Sequence, residues 1–343
     1  MSRARAWGGL VLPFALVVAA PLPAAAQTKT GTTVGTFLLI EPNARVAGMG
    51  NAGASLGDGL EAFYYNPAAI GRATKLEVAV SHAEWIAGID FNHLAVAYPL
   101  GGAGTLVGSV TALGSGDIDV RTVNQPLGTG ERYNVADLAI GIGWGRPITD
   151  RFTIGAQVSW LQERIWNSTL SSAVFHLGTL YRVSDGGLEL GASLSNLGVG
   201  GRFAGRDLRI TYDDDPDQNG GNGALPAEIF TEEHSVPVLL RFGLGFPYKL
   251  DATNRLRFGI DALHPSDNSE SLNLGVEYGY KELFALRGGW QHLLKEDAEG
   301  GLTLGAGLRG DMNNSFGYRF DYAFADMGRL EATHRLTLGF DFQ

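Results

Sequence analysis

The sequence has no cysteine among its 343 residues. That excludes disulfide cross-links, thiolate metal sites and the cysteine on which a lipoprotein anchor is built. Past the first two dozen residues it also lacks any apolar run near the roughly 20 residues a spanning helix needs. Mean hydropathy is only +0.01, far too low for a helical membrane protein. Positive charge is in deficit. Lys and Arg number 26 against 36 Asp and Glu, a net charge of −10, which weighs against nucleic acid as a partner. Histidine is scarce, with seven in all. None shows the i, i+4 spacing of a helical zinc site or sits in a paired Ser/His/Asp arrangement.

Glycine is what the chain has in excess: 49 residues, about twice the usual share of roughly 7%. The second abundant feature is alternation. Leu336, Leu338, Phe340 and Phe342 alternate with Arg335, Thr337, Gly339 and Asp341. Phe316, Tyr318, Phe320, Tyr322 and Phe324 alternate with Gly317, Arg319, Asp321 and Ala323. Successive strand side chains point to opposite faces, so each such run has one greasy and one polar side. From Lys75 onward the pattern hardly stops, and it predicts about fourteen strands. Each approaches the roughly 9–11 residues that a tilted strand needs to cross a bilayer.

The connections alternate too. Short turns are expected at Arg146–Arg151, Ser184–Gly187, Leu250–Asn254, Tyr280–Glu282 and Asp311–Asn314. Longer polar connections separate them at Gly114–Tyr133, Gly200–Ser235, Pro265–Glu270, Leu293–Gly300 and Asp326–Thr333. Long loops on one rim and short turns on the other predict an all-β, transmembrane antiparallel β-barrel. They also predict extracellular long loops and both mature termini on the periplasmic rim. On this reading the polar faces line a lumen, where a charge ladder is expected: Arg241, Arg257, Asp261, Glu277, Arg287, Arg319, Asp321, Arg335 and Asp341. An Arg facing lipid at mid-depth would cost about 2–4 kcal/mol, whereas lumen charges can pair across strands. Glycines on the same faces (Gly243, Gly259, Gly275, Gly317, Gly339) leave room for an occupant. The aromatics Trp144, Trp160, Tyr248, Tyr280, Trp290 and Phe342 are expected near strand ends, as an interfacial girdle.

Residues 1–26 read as an export signal. Arg3 and Arg5 precede an apolar stretch from Trp7 to Ala20, and Ala24-Ala25-Ala26 supplies a cleavage site before Gln27. Loss of those two arginines takes the net charge from −10 to −12. Residues 27–74 show no period of two. They are rich in small residues, with short helices and tight turns expected and Asn66-Pro67 as a turn or helix start. They are the expected occupant of the barrel, whose wall is residues 75–343.

Three local patterns carry less than they promise. Gly48-Met49-Gly50-Asn51-Ala52-Gly53 matches a dinucleotide-binding fingerprint but has no strand–helix unit around it. Gly53-Ala54-Ser55-Leu56-Gly57 matches a nucleophile elbow without an α/β sheet. No enzyme is expected. In the Asp213–Gly220 loop, Asp215, Asp217 and Asn219 before Gly220 copy the start of a calcium loop. The closing acid should fall near Pro226, but the nearest is Glu228, so a solvated acidic loop is the competing reading.

Ala44-Arg45-x-Ala47-Gly48-Met49-Gly50-x-Ala52-Gly53, followed by Tyr64-Tyr65-Asn66-Pro67-Ala68-Ala69-Ile70, resembles the N-terminal signature of PorV/PorQ-type outer-membrane proteins, relatives of the FadL transporters. Leu194-Ser195-Asn196-Leu197-Gly198 looks like a further shared stretch. The resemblance implies a plugged fourteen-stranded barrel, with Gly48, Gly50, Asn66, Pro67 and Ala68 in its hatch motif. It also implies a carrier in type IX secretion, met by cargo signal domains and translocon proteins, chiefly at Gly200–Ser235. The alternative is a FadL-like transporter of hydrophobic small molecules. Gln343 in place of a terminal aromatic, and Thr337 where the assembly signal often has glycine, depart from the pattern.

Overall fold

The structure, a computed structural model, describes residues 30–342 apart from 58, 216, 218–223, 296–297 and 314–315. The export signal, Asn219 and Gln343 lie outside the described residues.

Fourteen antiparallel strands close into a ring. They are β1 (Leu76–Glu84), β2 (Asp90–Pro99), β3 (Thr105–Gly114), β4 (Val135–Pro147), β5 (Phe152–Ile165), β6 (Ser168–Arg182), β7 (Glu189–Gly198), β8 (Leu239–Lys249), β9 (Asn254–Pro265), β10 (Ser271–Tyr280), β11 (Phe284–Leu293), β12 (Leu302–Asn313), β13 (Phe316–Asp326) and β14 (Ala332–Phe342). Each pairs with its neighbour in sequence. Closure is made by β1 on β14, Leu76 opposite Phe342 and Glu84 opposite His334. A closed ring leaves no free edge, so strand amides find ladder partners without water except where a bulge shifts the register.

The alternation seen in the sequence becomes the two faces of the wall. Ile142, Phe242 and Leu286 point outward and are 65%, 55% and 63% exposed. Arg241, Asp261 and Glu277 point inward and are 2%, 0% and 4% exposed. The apolar band outside suits hydrocarbon; the charges inside would be costly anywhere else.

Two strands run further than their hydropathy suggests. β5 continues past Trp160 to Ile165, and β6 begins at Ser168, so they are joined on the long-loop rim by only Trp166 and Asn167. Trp160 therefore lies inside a strand rather than near its end. Within the 199–238 connection, Arg209–Tyr212 pairs with Leu225–Glu228, and Ala204-Gly205 pairs with Thr169-Ser168 of β6.

Residues 30–72 fill the barrel. They form 3-10 turns at Thr36–Leu39 and Pro67–Arg72 and single helical turns at Ala44–Ala47 and Leu60–Phe63. Asn43 caps the first helical turn by accepting from Arg45 N and Val46 N. Asn66 caps the last 3-10 turn by accepting from Ala68 N, with Pro67 at its first position, where a missing N–H costs nothing. The segment threads the cylinder. At one end Val34 N donates to Ser235 O at 3.0 Å and Thr33 Oγ1 to Asp267 Oδ2 at 2.9 Å, both on the long-loop rim. At the other, Arg72 Nη2 donates to Asp150 O at 2.6 Å on the short-turn rim. The described start of the chain thus lies at the long-loop rim, while the mature terminus expected at Gln27 lies outside the described residues. Val34, Phe37, Leu38 and Ile40 need apolar cover, and Leu161, Leu170, Val174 and Val236 supply it near the long loops.

Candidate functional site

The interface between the threaded segment and the wall differs around the ring. Against β1–β3, Leu60, Phe63 and Ile70 pack on Ala79, Ala95, Ala97 and Val107. Against β4–β7 the backbone comes close where the wall has glycine. A Cβ on Gly155 would lie 2.3 Å from Pro67 C, and one on Gly178 would lie 2.0 Å from Asn66 Oδ1. Asn66 is fully buried. Its Nδ2 donates to Ala54 O at 2.7 Å and Thr179 O at 2.9 Å, tying the segment to itself and to β6.

Against β8–β14 the interface is polar. Asp261 Oδ2 accepts from Gly53 N at 2.9 Å and Ala54 N at 2.8 Å. Thr303 Oγ1 accepts from Gly50 N at 2.9 Å, and Thr337 Oγ1 from Ala44 N at 2.9 Å. Gly48 approaches Gly305 backbone to backbone, so both motif glycines, Gly48 and Gly50, sit where a side chain would strike the wall. The wall glycines divide: Gly243, Gly259 and Gly275 face the segment, whereas Gly317 and Gly339 make room for the Asp341 and Arg319 side chains.

At the centre is a chain of ion pairs. Arg45 forks onto Glu277, Nε to Oε2 at 2.8 Å and Nη2 to Oε1 at 2.9 Å. Its Nη1 donates to Glu61 Oε2 at 2.6 Å. Arg287 donates to Glu277 Oε2 and to Asp321 Oδ1, each at 2.7 Å. Arg319 Nε lies 3.0 Å from Glu61 Oε1, but the two are not aligned as a hydrogen bond. Burial by itself would raise the Glu61 carboxyl. Arg319 and Arg45 outweigh it and hold the group below its ordinary range. Buried charges persist when paired and hydrogen-bonded, a condition that Arg45 and Arg287 meet with Glu277, Glu61 and Asp321, whereas Arg319 is held by charge alone.

The ladder expected from the sequence is therefore in the lumen, but much of it clasps the inner segment instead of running strand to strand. Arg257 stands opposite Glu277 across β9 and β10. Arg241 reaches Glu41 at 3.2 Å and lies 5.1 Å from the Tyr65 ring centroid. Asp341 pairs with Lys75 at 2.9 Å. Arg335 sits 5.9 Å from the Trp85 ring centroid, with its Nε unpaired. Sequence reasoning passed over Arg45, Glu61 and Glu41 as partners. The available signal was a lone charge set among small and apolar residues.

Of the three register shifts among the described residues of the wall, one between Asp311 and Asn313 lies at the short-turn rim and two lie toward the long loops. The β6–β7 register shifts between Phe175 and Leu177, where Asn196, at φ 59°, donates its amide to His176 Nδ1 at 3.3 Å. The β10–β11 register shifts between Leu272 and Leu274, where His292, at φ 58°, donates its amide to Asn273 Oδ1 at 2.9 Å. A bulge leaves a backbone group unpaired, and a polar side chain takes it up in both of these. A cavity of about 40 Å³ lies beside the β6–β7 shift, lined by Leu38 and Phe63 as well as by His93, Thr111, Gln157 and His176.

In the acidic loop Asp215 and Asp217 are exposed, and Asp215 N donates to Asp213 Oδ1 at 3.1 Å. Among the described residues no group of three or more carboxylate or imidazole side chains converges as a metal site.

No protein-family model and no curated protein matches the chain. Solved structures do. The chain is similar to the Pseudomonas putida toluene transporter TodX, at 14% identity and a TM-score of 0.57, over 88% of this chain and 98% of that one. It is similar to the Ralstonia pickettii toluene transporter TbuX, at 13% identity and a TM-score of 0.51, over 88% and 97%. A Pseudomonas aeruginosa FadL homologue gives 12% identity and a TM-score of 0.50, over 88% and 98%. At these identities the likeness establishes a FadL-like barrel fold.

Proposed function

We propose that this chain is a non-enzymatic outer-membrane channel for hydrophobic small molecules, with the long loops outside the cell and the short turns toward the periplasm. Residues 1–26 act as its export signal. Residues 27–74 act as its hatch, with Gly48, Gly50, Asn66, Pro67 and Ala68 setting how closely the hatch seats. The observation that carries this reading is a lipid-fitted cylinder filled by its own N-terminal segment, an architecture spanning 88% of the chain in common with structures described as toluene transporters.

The seam between Leu60, Phe63 and Ile70 and the small residues of β1–β3 is where a hydrophobic solute meets least resistance. There it replaces one apolar contact with another, whereas the charged seam would have to be desolvated without its partners. The type IX carrier reading draws its support from the Ala44–Ile70 motif alone, and the solved relatives favour the channel.

Expression in an outer-membrane host lacking hydrocarbon channels, with uptake of labelled toluene, tests the proposal. Uptake above the empty-vector control is expected. Uptake equal to that control, together with co-purification of a cargo signal domain, would replace the channel with the carrier.

A further inference from the structure

Two cavities of about 280 Å³ each meet at the short-turn mouth of the barrel. Both are lined by Glu77, Arg309 and Arg319. Together they present eight cationic and six carboxylate side chains, a surplus of two positive charges, in a chain whose net charge is −10. The surplus has a definite place. Arg309 and Arg319 stand directly opposite each other on β12 and β13, both facing the cavities. Like charges opposed across an antiparallel pair destabilise it. Arg319 is engaged, imperfectly, by Glu61. No carboxylate among the described residues pairs with Arg309, which is exposed to the cavity space.

We infer that this mouth is a binding site for an oxyanion of phosphate type, bridged between Arg309 and Arg319. Two guanidinium forks facing across one strand pair suit a tetrahedral dianion, which each can engage through two parallel N–H donors. The bound anion converts a repulsive pair into an attractive bridge, and the cavity has room for it. The anion also competes with Glu61 for Arg319. Glu61 belongs to the hatch, so occupancy of the site loosens one of the two clasps that hold Arg45 and Glu61 against the wall. The site is thereby linked to the hatch motion of the proposed channel, and only that link rests on the channel reading.

The test is calorimetric titration of inorganic phosphate into the full-length barrel in phosphate-free dodecyl maltoside. Wild type, Arg309→Gln and Arg309→Lys are compared. Arg309 holds no buried partner, and retention of the heat-dependent gel shift shows that each variant is folded. Saturable binding is expected in the wild type, weakened about tenfold or more in Arg309→Gln and partly restored in Arg309→Lys. A parallel titration with a soluble short-chain phosphatidic acid separates the sources. Binding of both ligands assigns the site to free and lipid-borne phosphate, and binding of inorganic phosphate alone assigns it to the free ion. Equal phosphate affinity in Arg309→Gln, or no saturable binding in the wild type, overturns the site. Hydrogen exchange of amides 59–66 reads the coupling: faster exchange with phosphate is expected, and no change overturns the link. A barrel that binds phosphate yet takes up no toluene would sink the channel and leave the site standing.

Discussion

The wall from Leu76 to Gly198 and the wall from Leu239 to Phe342 hold the same inner segment by different physics. The first half presents Ala79, Ala95, Ala97, Val107, Gly143 and Gly155 at mid-depth, with charges such as Glu77, Asp137, Glu163 and Arg182 kept to the rims. The second half presents Arg241, Asp261, Glu277, Arg287, Asp321 and Arg335, all buried against the lumen. Apolar contact is non-directional and tolerates sliding. A forked guanidinium–carboxylate pair tolerates little, because its energy depends on angle and on exclusion of water. In the proposed channel, the charged half would serve as the hinge side of the inner segment and the apolar half as its opening edge.

The comparison is broken most sharply at Glu277. Glu277→Ala takes the forked partner from Arg45 and one of two carboxylates from Arg287, leaving them Glu61 and Asp321 and an uncompensated positive charge in the lumen, a loss of about 3–5 kcal/mol. The hatch should become susceptible to limited proteolysis within residues 30–72 while the barrel keeps its heat-dependent gel shift. A hatch as resistant as wild type would show that the apolar seam alone suffices.

Acid should act in the same direction and less completely. The Glu61 carboxyl is held below its ordinary range, so its contribution is fully present above the unfolded pKa of about 4.3. That contribution is lost as pH falls through the lower folded value. Hydrogen exchange of the 59–66 amides at descending pH should accelerate only once the medium is more acidic than about pH 4. Acceleration near neutrality would mean that another group controls the clasp.

The smallest effect belongs to the uncharged half. Ser159→Ala removes a hydroxyl that accepts from Gln157 Nε2 at 3.1 Å, while Ser109 still accepts from the same nitrogen at 3.1 Å. The cost should stay within about 1 kcal/mol in a denaturant melt. A loss as large as that of Glu277→Ala would erase the distinction between the two walls.

Much of the barrel was legible because side-chain alternation is local. Leu336 to Phe342 declare one face and Arg335 to Asp341 the other without reference to any partner. The strand ends were less so. Gln162, Glu163 and Arg164 lie past the end of the apolar alternation, yet the ladder continues through them, since hydrogen bonds between Glu163 and Leu170 positions do not require an apolar face. Trp166 at φ 54° makes the two-residue turn that follows, a conformation no hydropathy pattern announces.

By itself the sequence determined which side chains face out, which face in, and that the number of crossings is near fourteen. These depend only on a period of two and on the penalty for charge in hydrocarbon. Tertiary structure alone decided which inward charge meets which. Arg45 finds Glu277 across 232 positions of sequence, and Gly53 finds Asp261 across 208. Such pairings follow from the closure of the ring and the depth at which the inner segment comes to rest. Neither leaves a mark on neighbouring residues, because the energy that selects them exists only after water has been expelled from the lumen.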